Sequence, residues 1–246
     1  MRKLTLFLCL LVWSQSLFAN ELVDEAVKAQ SSQDYPKAIE LYKQVLKDGI
    51  ANGHIYYNLG NAYFRVDKKG EAMAAYLAAR SLLPRDPDVA LNIKHVKKDL
   101  VDKLDTSYKH GLIGTLVFWS GWFSLSEHVF TFGFLMLIAG SLFLLGILKS
   151  EWRMLKTMGV LFWILAAIVG IGATVHWQQD GSWGATTVEL ASVYSGPAKA
   201  GNSVLFELHE ASPFVVLEKR DGWLRIGLSD GKQGWIPRDQ VEYYKG

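Results

Sequence analysis

The side chains that do chemistry near neutral pH stand apart from one another in this chain. The six histidines, His54, His95, His110, His128, His176 and His209, show no metal-ligand spacing, and no pair on one helix turn is joined by a carboxylate. His128 and His176 sit at the borders of long apolar runs, where a half-wet imidazole needs no further role. The single cysteine, Cys9, lies in an N-terminal segment with the features of a leader, so the rest of the chain has no thiol nucleophile, thiolate ligand or disulfide. Ser195, in Ser195-Gly196-Pro197, lacks the strand-to-helix elbow of a hydrolase nucleophile and reads as a turn residue. No glycine-rich loop is placed to cradle phosphate. These residues predict no enzyme, no metal site and no cofactor. The chain offers aromatic, amide and guanidinium groups instead, which hold peptides by stacking and by hydrogen bonds to main chain.

The elements that carry those groups are arranged around two apolar runs, residues 128–148 and 158–177. Each is free of charge through its centre, and at ~1.5 Å per helical residue each is long enough to cross a hydrocarbon core of ~30 Å. Residues 149–157 between them contain Lys149, Arg153 and Lys156, and the positive-inside bias places this basic turn in the cytoplasm. Both flanking regions then lie on the outer side. Gly159, Ala166, Gly170 and Ala173 share one side of the second run, predicted to pack on Gly133, Gly140 and Ser141 of the first; a homodimer seam is the other use of such a side. No ionisable residue lies deep in either run, which argues for an anchor rather than a transporter.

Met1-Arg2-Lys3, an apolar stretch from Leu4 to Trp13 and the small residue Ala19 form a signal peptide over 1–19, cleaved after Ala19 or kept as an anchor. Either form exports the segment that begins at Asn20. Without Arg2 and Lys3 the chain carries 24 basic and 24 acidic residues, with 13 of each in residues 20–105. Neither soluble part has the positive excess that a phosphate backbone requires, which argues against nucleic acid.

Residues 20–105 carry an internal repeat. Tyr56, Leu59, Gly60, Tyr63, Ala72, Tyr76, Ala79 and Pro84 fall at the spacing of a 34-residue tetratricopeptide unit, and a weaker copy appears as Leu22, Ala26, Ala29, Ala38, Tyr42 and Val45. Gly60, Ala72 and Ala79 permit close helix crossing, Tyr63 and Tyr76 fill the wider gaps, and Pro84 ends the second helix. A capping helix is expected from Val89 to about Leu104, with Lys94, Lys97, Lys98, Asp99, Asp102 and Lys103 on a solvated outer face. The tetratricopeptide resemblance implies a groove lined in the second unit by His54, Tyr57, Asn61, Phe64 and Arg65, to which the next helix adds Asn92 and His95. Residues 106–127 are aromatic but interrupted by glycine. They are expected as an interfacial segment with Trp119 and Trp122 at headgroup level, the alternative being a third crossing that would put the two soluble parts on opposite sides.

Residues 183–246 change to short runs of Val, Leu and aromatics cut by turns. Phe214 to Glu218 and Trp223 to Ile226 flank Asp221-Gly222 as a hairpin, and Ser229-Asp230-Gly231-Lys232 forms a second turn. Ser195-Gly196-Pro197, Leu208-His209-Glu210, Asp221-Gly222-Trp223 and Gly234-Trp235-Ile236, in that order, resemble a bacterial SH3-like domain. The chain departs from the usual pattern at Tyr194, where arginine is common, and at Ala211, where glycine is common. Tyr194, Trp223 and Trp235 form a candidate aromatic strip for a peptide, Trp223 and Trp235 having the alternative role of filling the small core.

The fold expected is thus a multidomain membrane protein with an all-α tetratricopeptide repeat domain, a two-helix transmembrane hairpin and a small all-β SH3-like barrel. This order, with Leu205 to Glu210 before Val215-Val216-Leu217, resembles the BatE family of the bacterial aerotolerance (Bat) operon. That resemblance implies an inner-membrane, periplasm-facing component acting with von Willebrand A-type membrane proteins and a MoxR-type ATPase in envelope or oxidative stress. The expected function is a scaffold that gathers membrane or periplasmic proteins through the groove and the SH3-like domain. The alternative is a peptidoglycan binder whose repeats recruit a cell-wall hydrolase.

Overall fold

The structure, a computed structural model, describes residues 21–50, 52–98, 100–105, 118–149, 152–179 and 182–244. The predicted signal peptide and most of segment 106–127 lie outside the described residues. The chain divides into two compact units, one joining the N-terminal helices to the C-terminal strands and one holding the apolar hairpin.

In the first unit, helix α1 covers residues 21–31 and is followed by α2 (Tyr35–Lys47), α3 (Gly53–Arg65), α4 (Lys69–Leu82) and α5 (Pro87–Lys98). The starts are set locally. Asp34 accepts from the Lys37 N–H, Asn52 from the Ile55 N–H at 2.9 Å, and Asp86 from the N–H groups of Asp88 and Val89, with Pro87 at the first helical position. Pro84 lies just beyond α4. Helices α2 to α5 pack each on the next, and α4 is the centre: every residue from Ala72 to Ala79 is buried. A helix apolar on every side must be covered on every side. Helices α3 and α5 cover part of α4, and strands β1 (Trp183–Thr186) and β7 (Val241–Tyr244) cover another part.

The helical and β regions therefore share a core, into which Ala185 and Ala211 are fully buried among the helix residues, with Trp183 and Tyr244 at its margin. The rings of Tyr56 and Tyr244 lie 5.3 Å apart, and the Arg80 guanidinium sits 5.4 Å over Trp183. Burial lowers the Arg80 pKa to about 10, with Asp105 opposing the shift. Gly70 is required here, because a Cβ at that position would collide with the Thr186 carbonyl.

Helix α5 ends at Lys98, earlier than its amphipathic pattern suggests. Asp102, expected on a solvated face, instead accepts hydrogen bonds from the Ser212 hydroxyl (2.6 Å) and the His209 N–H (2.7 Å), and stands 3.2 Å from His209 Nδ1. Leu104 packs on the β core, and the Asp105 N–H donates to Ser229 Oγ. Contacts more than a hundred residues distant along the chain override the helical periodicity here. Burial pushes the Asp102 carboxyl upward, but the bonds from Ser212 and His209 and the charge of His209 outweigh it and hold the group below its usual range.

The β region adds β2 (Leu190–Tyr194), β3 (Val204–His209), β4 (Pro213–Arg220), β5 (Trp223–Gly227) and β6 (Gln233–Pro237). All seven strands form one antiparallel sheet in the order β3-β2-β6-β5-β4-β1-β7. Asp221 and Gly222 have φ of 40° and 80°, the mirror-image turn that suits a tight hairpin. The core gathers Val193, Phe214, Leu224, Ile226 and Ile236 with their neighbours; Trp235 is buried as well, whereas Trp223 is half-buried. Ala211 has φ 61°, which explains why glycine is common there; its methyl is buried in the core shared with the helices.

In the second unit, α6 (Leu125–Leu148) and α7 (Arg153–Gln179) pair as an antiparallel hairpin. Both are long and apolar enough to cross a bilayer. Helix α6 starts earlier than its apolar run, on a capping box of Ser124 and Glu127. Helix α7 starts at Arg153, so part of the basic turn is helical. Gly159 lies against Ala139 and Phe143, and Gly170 against Phe132. The expected partners Gly133 and Gly140 instead face open space, because it is Leu135, Ala139 and Gly146 that α6 turns inward. His128 is buried rather than half-wet. It stacks on Trp119 at 5.8 Å, meets Phe123 edge-on, and its Nδ1 lies 2.9 Å from the Ser124 carbonyl. Trp119 also packs over Gly172, whereas Trp122 is exposed.

Candidate functional site

Helix α3 explains how a groove can arise from one stretch of chain. Ile55, Tyr56, Leu59, Ala62 and Tyr63 turn inward at helical spacing. This leaves Tyr57, Asn61, Phe64 and Arg65, at i, i+4, i+7 and i+8, on one outward stripe. Together with Asn92 of α5 they line a concavity of about 500 Å³. Five of the seven groove residues expected from the sequence thus converge. His54 and His95 are exposed and do not line it. Three residues not assigned to the groove do: Gln30 at the end of α1, Tyr35 at the start of α2, and Tyr76 of α4.

Tyr76 organises the floor. Its hydroxyl donates to Asn61 Oδ1 at 2.8 Å, and Asn92 Nδ2 donates to the same oxygen at 2.8 Å. Its ring lies 6.2 Å from that of Tyr57 at 49°. Gly60 admits this ring, since a Cβ there would stand 2.6 Å from it. Burial, with a smaller effect from Tyr57, raises the Tyr76 pKa far above the phenolic range despite the opposing Asn92 bond and Arg65 charge. The hydroxyl therefore remains a donor at any physiological pH, and the Asn61 amide stays oriented.

A second cluster lies on the β sheet. Tyr194 pairs with Trp235, Trp235 with Arg225, and Arg225 with Glu218, forming one row across β2, β6, β5 and β4; Arg220 pairs with Trp223 beside it. Tyr194 and Trp223 meet edge-on at 5.5 Å. The three aromatic residues of the predicted strip are thus brought together. The cations among them have no signal in the sequence pattern: the Arg220 guanidinium lies 5.3 Å over Trp235 and 2.7 Å from Glu218, which also stands 3.6 Å from Arg225. Trp235 is only 8% exposed.

Ser195 is a turn residue, its hydroxyl placed among Asn202 and Ser203. Among the described residues no three His, Cys, Asp or Glu side chains are gathered as a metal would require.

The class of protein this defines is a helical region and an antiparallel SH3-like β domain in one unit, carried with an apolar helical hairpin. Residues 187–242 match the bacterial SH3 domain family. The matched segment begins after β1, so the strand whose Gly184, Ala185 and Thr186 meet the helices lies outside it. Bacterial SH3 domains generally mediate protein or peptidoglycan binding. No curated protein matches the chain.

Proposed function

We propose that the protein is a membrane-anchored scaffold whose α3 groove, in a tetratricopeptide-like stack, holds a partner protein, with the SH3-like domain as a second contact. The observation that carries this is the convergence of Tyr57, Asn61, Phe64, Arg65 and Asn92 on one concavity. The starts of α2 and α4, Tyr35 and Lys69, stand one 34-residue repeat apart, which supports the stack. The role is recognition rather than catalysis.

Helices α6 and α7 cross the inner membrane in this reading, with the basic turn in the cytoplasm and the groove in the periplasm. The core shared by the helical and β regions supports placing both on one side, with an even number of crossings between Asp105 and Ser182. That parity favours an interfacial role for 106–127 over a third span. In a Cys9→Ser background, a membrane-impermeant maleimide added to whole cells with a permeable outer membrane should label Lys94→Cys and Lys199→Cys and spare Trp152→Cys. Opposite labelling of the first two overturns the arrangement.

A Bat-type complex, with von Willebrand A-type proteins as partners in envelope or oxidative stress, is the setting the family resemblance gives this scaffold. A photocrosslinker at Phe64 in intact cells should give a discrete adduct that vanishes with Tyr57→Ala and Arg65→Ala. An adduct that persists removes the groove from the account. The peptidoglycan reading is favoured by the SH3 match and by the Tyr194–Trp223 contact. Sedimentation of the detergent-solubilised full chain with purified cell wall decides it: retention lost in Trp223→Ala supports wall binding, and no retention favours the scaffold.

A further inference from the structure

Residues 100–105 run on from α5 as a strap across the first unit, turning side chains inward and outward in alternation. Leu100 packs on the core shared with the helices, Asp102 accepts from Ser212 and the His209 N–H, and Leu104 packs on the β core. Val101 and Lys103 are left outside. Val101 is 66% exposed, and Lys98, at the end of α5, is exposed as well.

The charge of this strip is unbalanced. Lys94, Lys97, Lys98 and Lys103 enter no ion pair among the described residues. Asp102 is spent on Ser212 and His209, and the charge of Asp105 acts on Arg80, which leaves Asp99, outside the described residues, as the remaining acid of the stretch. An exposed valine between two uncommitted cations matches a surface that offers phosphate and an apolar layer together.

The chain keeps such a surface within reach. Ser182 is fixed in the first unit, buried and with its carbonyl accepting from the Val216 N–H at 2.9 Å. Gln179, the last residue of α7, stands three residues before it, a span of at most ~11 Å. Asp105, where the strap ends, acts on Arg80, whose guanidinium lies 5.4 Å over Trp183, the residue after Ser182. The chain thus leaves and re-enters this unit at one side chain, and the strap adjoins that exit.

We propose that the strap is a lipid contact: Lys98 and Lys103 pair the phosphates of an anionic outer leaflet, and Val101 seats between them at headgroup level. The inference rests on α6 and α7 crossing the bilayer, and it adds the lipid surface itself as a partner of the scaffold.

The full chain, with Cys9→Ser and a bimane on Val101→Cys, is reconstituted into phosphatidylcholine vesicles with or without phosphatidylglycerol, each containing a lipid with a nitroxide on its headgroup. The neutral vesicles set the label's own affinity for lipid, and quenching is stronger in the anionic ones. Lys98→Gln or Lys103→Gln shifts the balance between seated and lifted strap about fivefold toward lifted, the scale of one cation at a charged membrane surface. In the double variant quenching falls to its level in phosphatidylcholine alone. Both lysines are exposed, and circular dichroism verifies that the variants fold. Equal quenching in neutral and anionic vesicles overturns the inference while leaving the hairpin reading in place, as does an anionic gain that survives the double variant. A chain that does not float with the vesicles overturns both.

Discussion

The groove on α3 and the aromatic row on the β sheet are both rich in tyrosine, tryptophan or phenylalanine with arginine nearby, yet they differ in what has been left unused. On the sheet the cations have an acid beside them: Arg220 covers Trp235 and bonds Glu218, and Arg225 stands 3.6 Å from Glu218, although its Nε makes no hydrogen bond. In the groove Arg65 has no acid beside it, and the internal bonds serve only to orient the Asn61 amide. A surface whose charges satisfy one another gains less from a ligand than a recess that orients donors and leaves them open, since a ligand must first displace what is already paired. Composition alone does not separate the two regions. Their internal partners do.

The comparison assumes that both regions belong to one body, and the largest effect tests that. Gly70→Val places side-chain atoms where Thr186 and Thr187 lie, and should destabilise the first unit by about 3 kcal/mol, the upper end for forced overpacking. Were α4 free on that side, valine would stabilise the helix by a few tenths of a kcal/mol relative to glycine. The sign of the change in a denaturant titration of the full chain in detergent therefore decides whether helices and sheet are docked. Next is Asp102→Ala, which removes the acceptor for Ser212 and His209 and should cost about 2 kcal/mol, the scale of bonds to a charged group. Because the Asp102 carboxyl is held below its usual range, its contribution is complete above about pH 4 and is lost as pH falls through the lower folded value. The gap in stability between the parent and the variant should narrow as pH falls below about 4; a gap that stays constant through the acid range would show that the carboxylate charge contributes nothing.

How much of this is legible in the sequence depends on the range of each signal. The α3 stripe is readable through the tetratricopeptide resemblance, which implies its lining positions, and Tyr57, Asn61, Phe64 and Arg65 agree with the 3.6-residue period that puts side chains on one face. Tyr76 reads as packing and is also the groove floor, one ring serving both purposes against Gly60. Gln30 and Tyr35 sit at helix ends in the weaker repeat, where spacing says little about direction. The docking of the sheet has one local trace: Ala72, Ala74, Ala75, Ala78 and Ala79 leave α4 with no polar side through its middle. The elements that cover it are not readable locally, because β1 and β7 are distant in sequence and β1 precedes the segment that matches the SH3 family. Asp102 fits the outer face of a helix by periodicity, and only its partners at 209 and 212 explain why the chain leaves the helix before it.

The two smallest effects bear on the comparison directly. Tyr76→Phe keeps the ring and removes one of the two donors to Asn61, so it should cost about 1 kcal/mol in stability and weaken the Phe64 photocrosslink, because Asn92 alone then holds the amide. Arg220→Ala should cost less than about 1 kcal/mol: the side chain is 56% exposed, its pairing with Glu218 is screened by water, and its stacking on Trp235 is of the weak, solvated kind. It should leave the Phe64 photocrosslink unchanged, since the row on the sheet is already paired with itself and Arg220 does not line the groove. An equal loss of the adduct in Arg220→Ala and in Tyr57→Ala would put the two surfaces on the same footing, and the distinction drawn from their unpaired groups would fail.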